Sequence, residues 1–345
     1  MQLSSSLVIL PAVAVALSPA GTIAVRHLTL RRQWLDRPNE RSSHTIPTPT
    51  SAGIAIATTF LLALCIAEKL LGGSGLGNAF LPLLTCAASI AILGFIDDMR
   101  GLSARLRLLV QASAATLFCL WSEPLRELHM PGIGALALGP LAYPLSVLWL
   151  VSLTNFYNFM DGIDGIAGGT GVLVSIFFAV AFAMAGGSPL APLLLGAACL
   201  GFLAHNYPPA KIFMGDVGSG FLGFVLGALA IIGSDQLRLP ATAFILALAM
   251  FIFDTTVTLV RRVLRGEKWY AAHRSHYYQR LVRAGWTHDR VDWLEFCLTA
   301  LCCMASYAYL SASGALSQGL MAAIVVCLFA GFTLFVRQVE QRGHS

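Results

Sequence analysis

The chain has 345 residues, of which 57% are hydrophobic and only 11% charged, with a formal net charge of +5; its mean hydropathy is +0.75. A soluble domain carries roughly 25% charged residues, so too little polar surface remains here to coat a water-soluble globule. That excludes the pair of soluble domains which length alone would allow, and leaves a chain whose apolar mass faces lipid.

A bilayer core about 30 Å thick takes roughly 20 apolar residues per helical span. Such runs fall near residues 4–25, 52–71, 78–96, 108–122, 141–159, 166–185, 189–204, 219–233, 241–260, 293–311 and 318–336. They predict an all-α polytopic membrane protein, a single domain over 1–345 with ten to eleven transmembrane helices. The alternating segments of about ten residues that mark a membrane β-barrel are absent. In the first run Ala12-Val13-Ala14 resembles a signal cleavage site, but Met1–Ser6 holds no basic residue, and Arg26, Arg31 and Arg32 come after the apolar stretch. A signal peptide carries its positive charge first, so a retained helix with its N-terminus outside is expected.

From that start, the segments 26–51, 97–107, 160–165, 205–218 and 261–292, with the tail after 336, fall on the cytoplasmic face. They hold all of the 22 Lys and Arg residues except Lys69, Arg126 and Arg238, as the positive-inside rule requires. The outer segment 123–140, with Pro131, Gly132, Gly134 and Gly139, is expected to form a small hairpin. The eight cysteines all sit in apolar runs without CxxC or Cys/His spacing, so neither a disulfide framework nor a zinc site is supported.

Carboxylates beside lipid need a reason to be there. Asp97 and Asp98 end the third run, Asp161 and Asp164 follow the fifth within Asn155–Gly165, and Asp216 follows the seventh in Phe213-Met214-Gly215-Asp216-Val217-Gly218-Ser219. Each group alone is weak, since an Asp pair at a helix end is commonly a solvated boundary. Together they bring five carboxylates from three stretches to one membrane surface. Neighbouring carboxylates repel, and Mg2+ relieves that repulsion with one or two protein carboxylates plus substrate phosphates. A helix starting near Val217 offers free N–H groups and a dipole to a phosphate. The set describes a metal–diphosphate site in cytoplasmic loops.

The last basic segment carries His273-Arg274-Ser275-His276-Tyr277-Tyr278-Gln279-Arg280. There His273 and His276 are expected to share a helical face at i, i+3, and Arg274 and Arg280 suit phosphate oxygens. The first loop holds the polar stretch Arg41 to Pro49. Asp254 lies inside the ninth run and is a functional candidate by default, whereas Glu68 and Lys69 near an outer end read as structural.

These residues resemble the polyprenyl-phosphate N-acetylhexosamine-1-phosphate transferase superfamily of glycosyltransferase family 4, which includes phospho-N-acetylmuramoyl-pentapeptide translocase and the enzymes that initiate O-antigen synthesis. The matching stretches are Asp36 to Pro49, Asp97-Asp98 with Gly101-Leu102-Ser103, Asn155 to Gly165, Phe213 to Ser219 and His273 to Arg280, in order along the chain. The resemblance implies an enzyme of the bacterial inner membrane that moves an N-acetylhexosamine 1-phosphate from a UDP-sugar to undecaprenyl phosphate and releases UMP, for lipopolysaccharide or other cell-envelope polysaccharide. It implies Mg2+, with Mn2+ as an alternative. Asp97, Asp98 and Asp216 would be catalytic, with Asp216, Asp97, Asp98 and Asp161 at the metal. Asn155, Asn158, Asp161, Asp164, His44, His273, Arg274 and His276 would hold the nucleotide and phosphates. Bilayer lipid is a partner, nucleic acid is not, and a homodimer is compatible with the family.

Two departures stand out. Relatives often follow the first motif with Arg-Gly-Gly-Gly, whereas Pro49 here precedes Thr50-Ser51-Ala52-Gly53. The last motif is His-x-Ser-His, closer to O-antigen initiators that use N-acetylfucosamine or N-acetylquinovosamine donors, with UDP-N-acetylglucosamine as the alternative. The competing function is a secondary transporter, which would place its acids at mid-membrane and show related halves.

Overall fold

The computed structural model describes residues 2–36, 46–70, 73–130, 133–268, 273–312 and 314–343. Each of the eleven apolar runs coincides with helix. In order they are α1 (Gln2–Arg32), α2 (Gly53–Leu70), α3 (Phe80–Arg100), α4 (Ala104–Ser122), α5 (Ala142–Met160), α6 (Ile166–Met184), α7 (Leu190–Asn206), α8 (Gly215–Gln236), the pair α9 (Ala241–Ala247) and α10 (Ala249–Leu264), α12 (His288–Ser311) and α13 (Ala315–Gly343), with a short α11 (Tyr277–Arg283) before α12. Seven of the described helices are long and apolar enough to cross a membrane, or eight if α9 and α10, bent by 75°, form one span, which is fewer than the ten to eleven expected. The protein is therefore a polytopic all-α membrane protein.

Extended structure is confined to two short pairs. β1 (Leu35–Asp36) lies antiparallel to β2 (Thr48–Pro49), and β3 (Glu127–Met130) pairs with β4 (Gly134–Ala137) as the small hairpin expected in segment 123–140.

The bundle is organised around α8, in which every residue from Val217 to Gly233 is buried. A helix that is apolar all round belongs in the middle of a bundle. Its glycines let neighbouring backbones close in: a Cβ at Gly223 would strike the Leu153 carbonyl of α5, and one at Gly94 of α3 would strike the Asp216–Val217 backbone. Small residues serve helix packing in lipid in this way. The Gly94 contact also sets the site, because Asp97 and Asp98 follow one turn later on the same helix.

The structure corrects several expected boundaries. Asp216 does not lie in a loop but in the first turn of α8, which begins at Gly215. Helix α3 runs on through Arg100, and α1 through Arg32. The last basic segment is interrupted by α11. Gly101 stops α3 in the left-handed region (φ 64°), where its N–H donates to Asp97 O, and the Ser103 hydroxyl then caps α4 by accepting from Leu106 N at 3.3 Å. A glycine stop followed by a serine N-cap explains the Gly101-Leu102-Ser103 sequence.

Candidate active site

Acids from α3 and α8 meet where Gly94 permits close approach. Asp98 Oδ1 accepts the Asp216 backbone N–H at 2.8 Å, while Oδ2 accepts the Ser51 hydroxyl at 2.8 Å and the Val217 N–H at 3.5 Å. The N-terminal N–H groups expected to receive a phosphate thus face the Asp98 carboxylate, which satisfies them and complements the helix dipole. Asp97 Oδ1 accepts the Leu102 N–H at 2.6 Å. The Arg107 guanidinium on α4 bridges two acids, with Nη1 2.6 Å from Asp97 Oδ2 and 3.1 Å from Asp216 Oδ2.

Helix α5 and the turn after it supply the other side. Asn158 Nδ2 donates to Asp216 Oδ1 at 2.7 Å and to Ser219 Oγ at 3.0 Å. Asp161 caps the end of α5, and burial together with the charges of Asp98 and Asp164 pushes its carboxyl up to about 8. Asp164 Oδ2 accepts the Ala210 N–H at 3.0 Å and lies 3.4 Å from His288 Nδ1. Asn206 ties this turn to the next loop, accepting Gly165 N–H and donating to Ile212 O, both at 3.0 Å.

Asp98, Asn158, Asp161, Asp164 and Asp216 all line one cavity of about 450 Å3, to which Asn206, Gln279 and His288 also contribute. A second pocket of about 20 Å3 lies deeper in the bundle, against Asp97, Arg107, Gln111 and Asn155, and shares Asn158 and Asp216 with the first. There Asn155 Nδ2 donates to Gln111 Oε1 at 2.7 Å. The acids form the partition between a wide polar chamber and a narrow one.

The first loop is strapped onto this site by backbone bonds, Phe213 N–H to Pro49 O and the Ala52 and Gly53 N–H groups to Phe213 O and Met214 O. His44 lies outside the described residues.

The His273–Arg280 motif stands apart from the cavity wall, to which it contributes Gln279 but not His273, Arg274 or His276. The two histidines do not share a helical face: both precede α11, with ring centroids 4.9 Å apart. His276 is buried, its Nδ1 3.0 Å from Asp254 Oδ1. Burial and the neighbouring His276 lower the His273 imidazole to about 4, so it is neutral at pH 7. Asp254 accepts the Tyr277 N–H at 2.9 Å and the Thr258 hydroxyl at 3.1 Å. This intramembrane acid is the anchor of the motif and the cap of α11. Tyr278 then reaches the other half of the site, donating its hydroxyl to Phe159 O at 2.9 Å. Arg280 is bound by Glu340 of α13, with Nε 2.7 Å and Nη2 2.5 Å from its carboxylate oxygens.

Sequence reasoning missed Ser51, Arg107 and His288. Ser51 occupies one of the positions where the first motif departs from its relatives. Arg107 had a signal in helix phase, one turn past the Ser103 cap and therefore beside the end of α3. His288 had none, because only tertiary packing brings the start of α12 to Asp164.

The glycosyl transferase family 4 model matches residues 80–234, which contain Asp97, Asp98, Asp161, Asp164 and Asp216. The chain is 34% identical over 276 residues to the probable undecaprenyl-phosphate N-acetylglucosaminyl 1-phosphate transferase of Bacillus subtilis, spanning 77% of this chain and 75% of that protein. It is 29% identical over 296 residues to the decaprenyl-phosphate N-acetylglucosaminephosphotransferase of Mycolicibacterium smegmatis, with 77% and 73% covered. A phospho-N-acetylmuramoyl-pentapeptide-transferase of Synechococcus is 32% identical over 290 residues, with 78% and 81% covered. With its acids gathered at the junction of α3, α5 and α8, the chain belongs to glycosyl transferase family 4 and is a membrane-embedded glycosyl-1-phosphate transferase.

Proposed function

We propose that the protein transfers N-acetylglucosamine 1-phosphate from UDP-N-acetylglucosamine to undecaprenyl phosphate, giving the undecaprenyl-diphospho-sugar and UMP. The observation that carries this reading is the partition of carboxylates between two polar pockets. A phosphate oxygen of the lipid attacks the sugar-bearing phosphorus of the donor, and the bond from that phosphorus to the UMP oxygen breaks. Both reactants are anionic, so the site must hold like charges close together. The names of the Bacillus and Mycolicibacterium relatives support N-acetylglucosamine as the sugar and a polyprenyl phosphate as acceptor. The product serves cell-envelope polysaccharide synthesis, with O-antigen as the pathway the last motif favours.

A divalent cation fits these residues. Among the described residues no three or more His, Cys, Asp and Glu side chains form a ready-made metal cage. Mg2+ needs none, since it keeps water and substrate phosphate in its shell and takes one or two carboxylates. Asp161 and Asp216 line the chamber, and no described residue donates a hydrogen bond to the Asp161 carboxylate. Asp98, held by two N–H groups and the Ser51 hydroxyl, is the third neighbour. Bound there, Mg2+ or Mn2+ would neutralise charge on the diphosphate. The chain's own groups do the rest: Arg107 balances Asp97 and Asp216, Asn158 orients Asp216, and Asp98 fixes the start of α8. Positioning and charge neutralisation account for most of phosphoryl transfer.

The distribution of Lys and Arg supports a cytoplasmic active face in a bacterial inner membrane, with the whole chain as one catalytic domain. The test is detergent-purified protein incubated with undecaprenyl phosphate, Mg2+ and a panel of UDP-N-acetyl sugars. UMP release that needs both lipid and metal, and vanishes in Asp98→Asn and Asp216→Asn, is expected. Folded protein that releases no UMP from any donor, yet moves a solute across liposomes, would establish the transporter instead.

A further inference from the structure

We propose that His288 is a binding residue for the nucleoside end of the donor, oriented by Asp164. The inference rests on the UDP-sugar reading above and assigns one end of its site. His288 opens α12, and its imidazole lines the large cavity while Nδ1 lies 3.4 Å from Asp164 Oδ2. The side chain is 17% exposed, too enclosed for an ordinary solvated histidine. Asp164 is itself held in place by the Ala210 N–H at 3.0 Å. With Nδ1 turned toward Asp164 at 3.4 Å, the opposite edge of the ring, Nε2, is the atom left for a ligand in the cavity that His288 lines.

Which part of the donor it meets follows from the two pockets. Asn158 and Asp216 line both, whereas Asp164, Asn206 and His288 line only the large one. The small pocket lies deeper: Gln111 is one turn further into α4 than Arg107, and Asn155 one turn further into α5 than Asn158. A space of about 20 Å3 is too small for a nucleotide, so the donor lies in the large cavity, with its diphosphate toward the Asn158 and Asp216 that line both pockets and its nucleoside end toward Asp164 and His288. Asp164 is a carboxylate, which repels a phosphate but accepts from an N–H or O–H. The part of UMP that suits this corner is its neutral, hydrogen-bonding nucleoside, and the imidazole adds a second polar group to it.

The test is calorimetric binding of UMP to full-length protein, alongside the KM values for UDP-N-acetylglucosamine and undecaprenyl phosphate. His288→Ala is expected to raise the UMP Kd and the donor KM about tenfold, the scale of one hydrogen bond to a ligand, and to leave the lipid KM unchanged. Gln places its amide near the position of Nε2 and Asn near that of Nδ1, so His288→Gln is expected to bind UMP more tightly than His288→Asn. A UMP Kd within about twofold of wild type in His288→Ala, or an equal rise in the lipid KM, overturns the proposal. So does His288→Asn matching wild type, which would assign the residue only to holding Asp164. If the Ala variant does not fold, the order of Gln and Asn decides alone. Wild-type protein that neither binds UMP nor releases it from any UDP-sugar refutes the donor assignment itself, an outcome separate from a failure confined to the His288 variants.

Discussion

Arg107 Nη1 sits 2.6 Å from Asp97 Oδ2 and 3.1 Å from Asp216 Oδ2. A single guanidinium therefore offsets carboxylates on α3 and α8 that no other described cation bridges. In a partly desolvated site two facing carboxylates cannot both stay ionised without such a charge. Arg107→Ala is expected to lower kcat for UMP release by about a hundredfold or more, the range seen when one electrostatic stabiliser is removed. Arg107→Lys should recover only part of it, because a lysine ammonium is shorter in reach and more strongly hydrated than the guanidinium whose Nη1 both carboxylates share. Equal activity in Lys and Arg forms would show that a point charge suffices.

Ser51 carries a second dependence that backbone geometry makes separable. It adopts φ 70°, and its hydroxyl donates to Asp98 Oδ2 at 2.8 Å. Both Ser51→Ala and Ser51→Gly remove that hydrogen bond, worth about 1 kcal/mol. Only alanine keeps a Cβ in the left-handed region, at a cost of roughly 1–2 kcal/mol. Ser51→Gly should therefore melt above Ser51→Ala by several degrees, with both showing the same reduced activity. Thermal unfolding in detergent and UMP release check the two halves. Indistinguishable melting of the two variants would mean that the loop relaxes out of this conformation.

Much of this fold was legible because apolar length and one-sided basic loops are strong signals in a membrane chain. All eleven runs became helix, and five acids became a cavity wall or its immediate backing. What the sequence concealed was contact across helices. Asp254 read as a functional acid because burial in lipid is costly, yet beside the Thr258 hydroxyl its partners come from His276, Tyr277 and Tyr278, more than twenty residues away. The i, i+3 spacing of His273 and His276 implied a helical face, but α11 begins only at Tyr277 because Asp254 caps it there. His288 reached the site through the packing of α12 on α6, which no local pattern encodes.

Asp161 gives the site a pH signature. Burial, then the charges of Asp98 and Asp164, push its carboxyl up to about 8, well above the usual carboxylate range. A folded-state value raised above the unfolded one means that stability is greatest while the group is protonated. The contribution is fully present below about pH 4 and is lost as pH rises toward and through about 8. Without divalent cation, wild-type melting should fall across that window, and Asp161→Asn should flatten the fall. Mg2+ should restore wild-type stability most at the alkaline end, where the carboxylate is free to bind it. Parallel melting curves for wild type and Asp161→Asn between about pH 6 and 9 would show that another group governs the dependence.

Asp254 should act on activity through the loop it anchors. Its carboxylate accepts from Tyr277 N, the Thr258 hydroxyl and His276 Nδ1, at 2.9, 3.1 and 3.0 Å respectively. Asp254→Ala leaves those buried donors unsatisfied, a loss of about 3–5 kcal/mol when a buried charged partner is removed. Asp254→Asn keeps one acceptor oxygen and should lose less. Because α11 is only seven residues long, it has little helical stability of its own and depends on this cap. The expected consequence is faster tryptic cleavage at Arg274 and Arg280 in Asp254→Ala, together with lower UMP release, while cleavage at Arg126 and Arg238 on the far face stays at the wild-type rate. Since Tyr278 leads from α11 to the carbonyl of Phe159, two residues before Asp161, loosening the cap should also weaken UMP binding. Unchanged proteolysis with lost activity would instead place Asp254 in the chemistry.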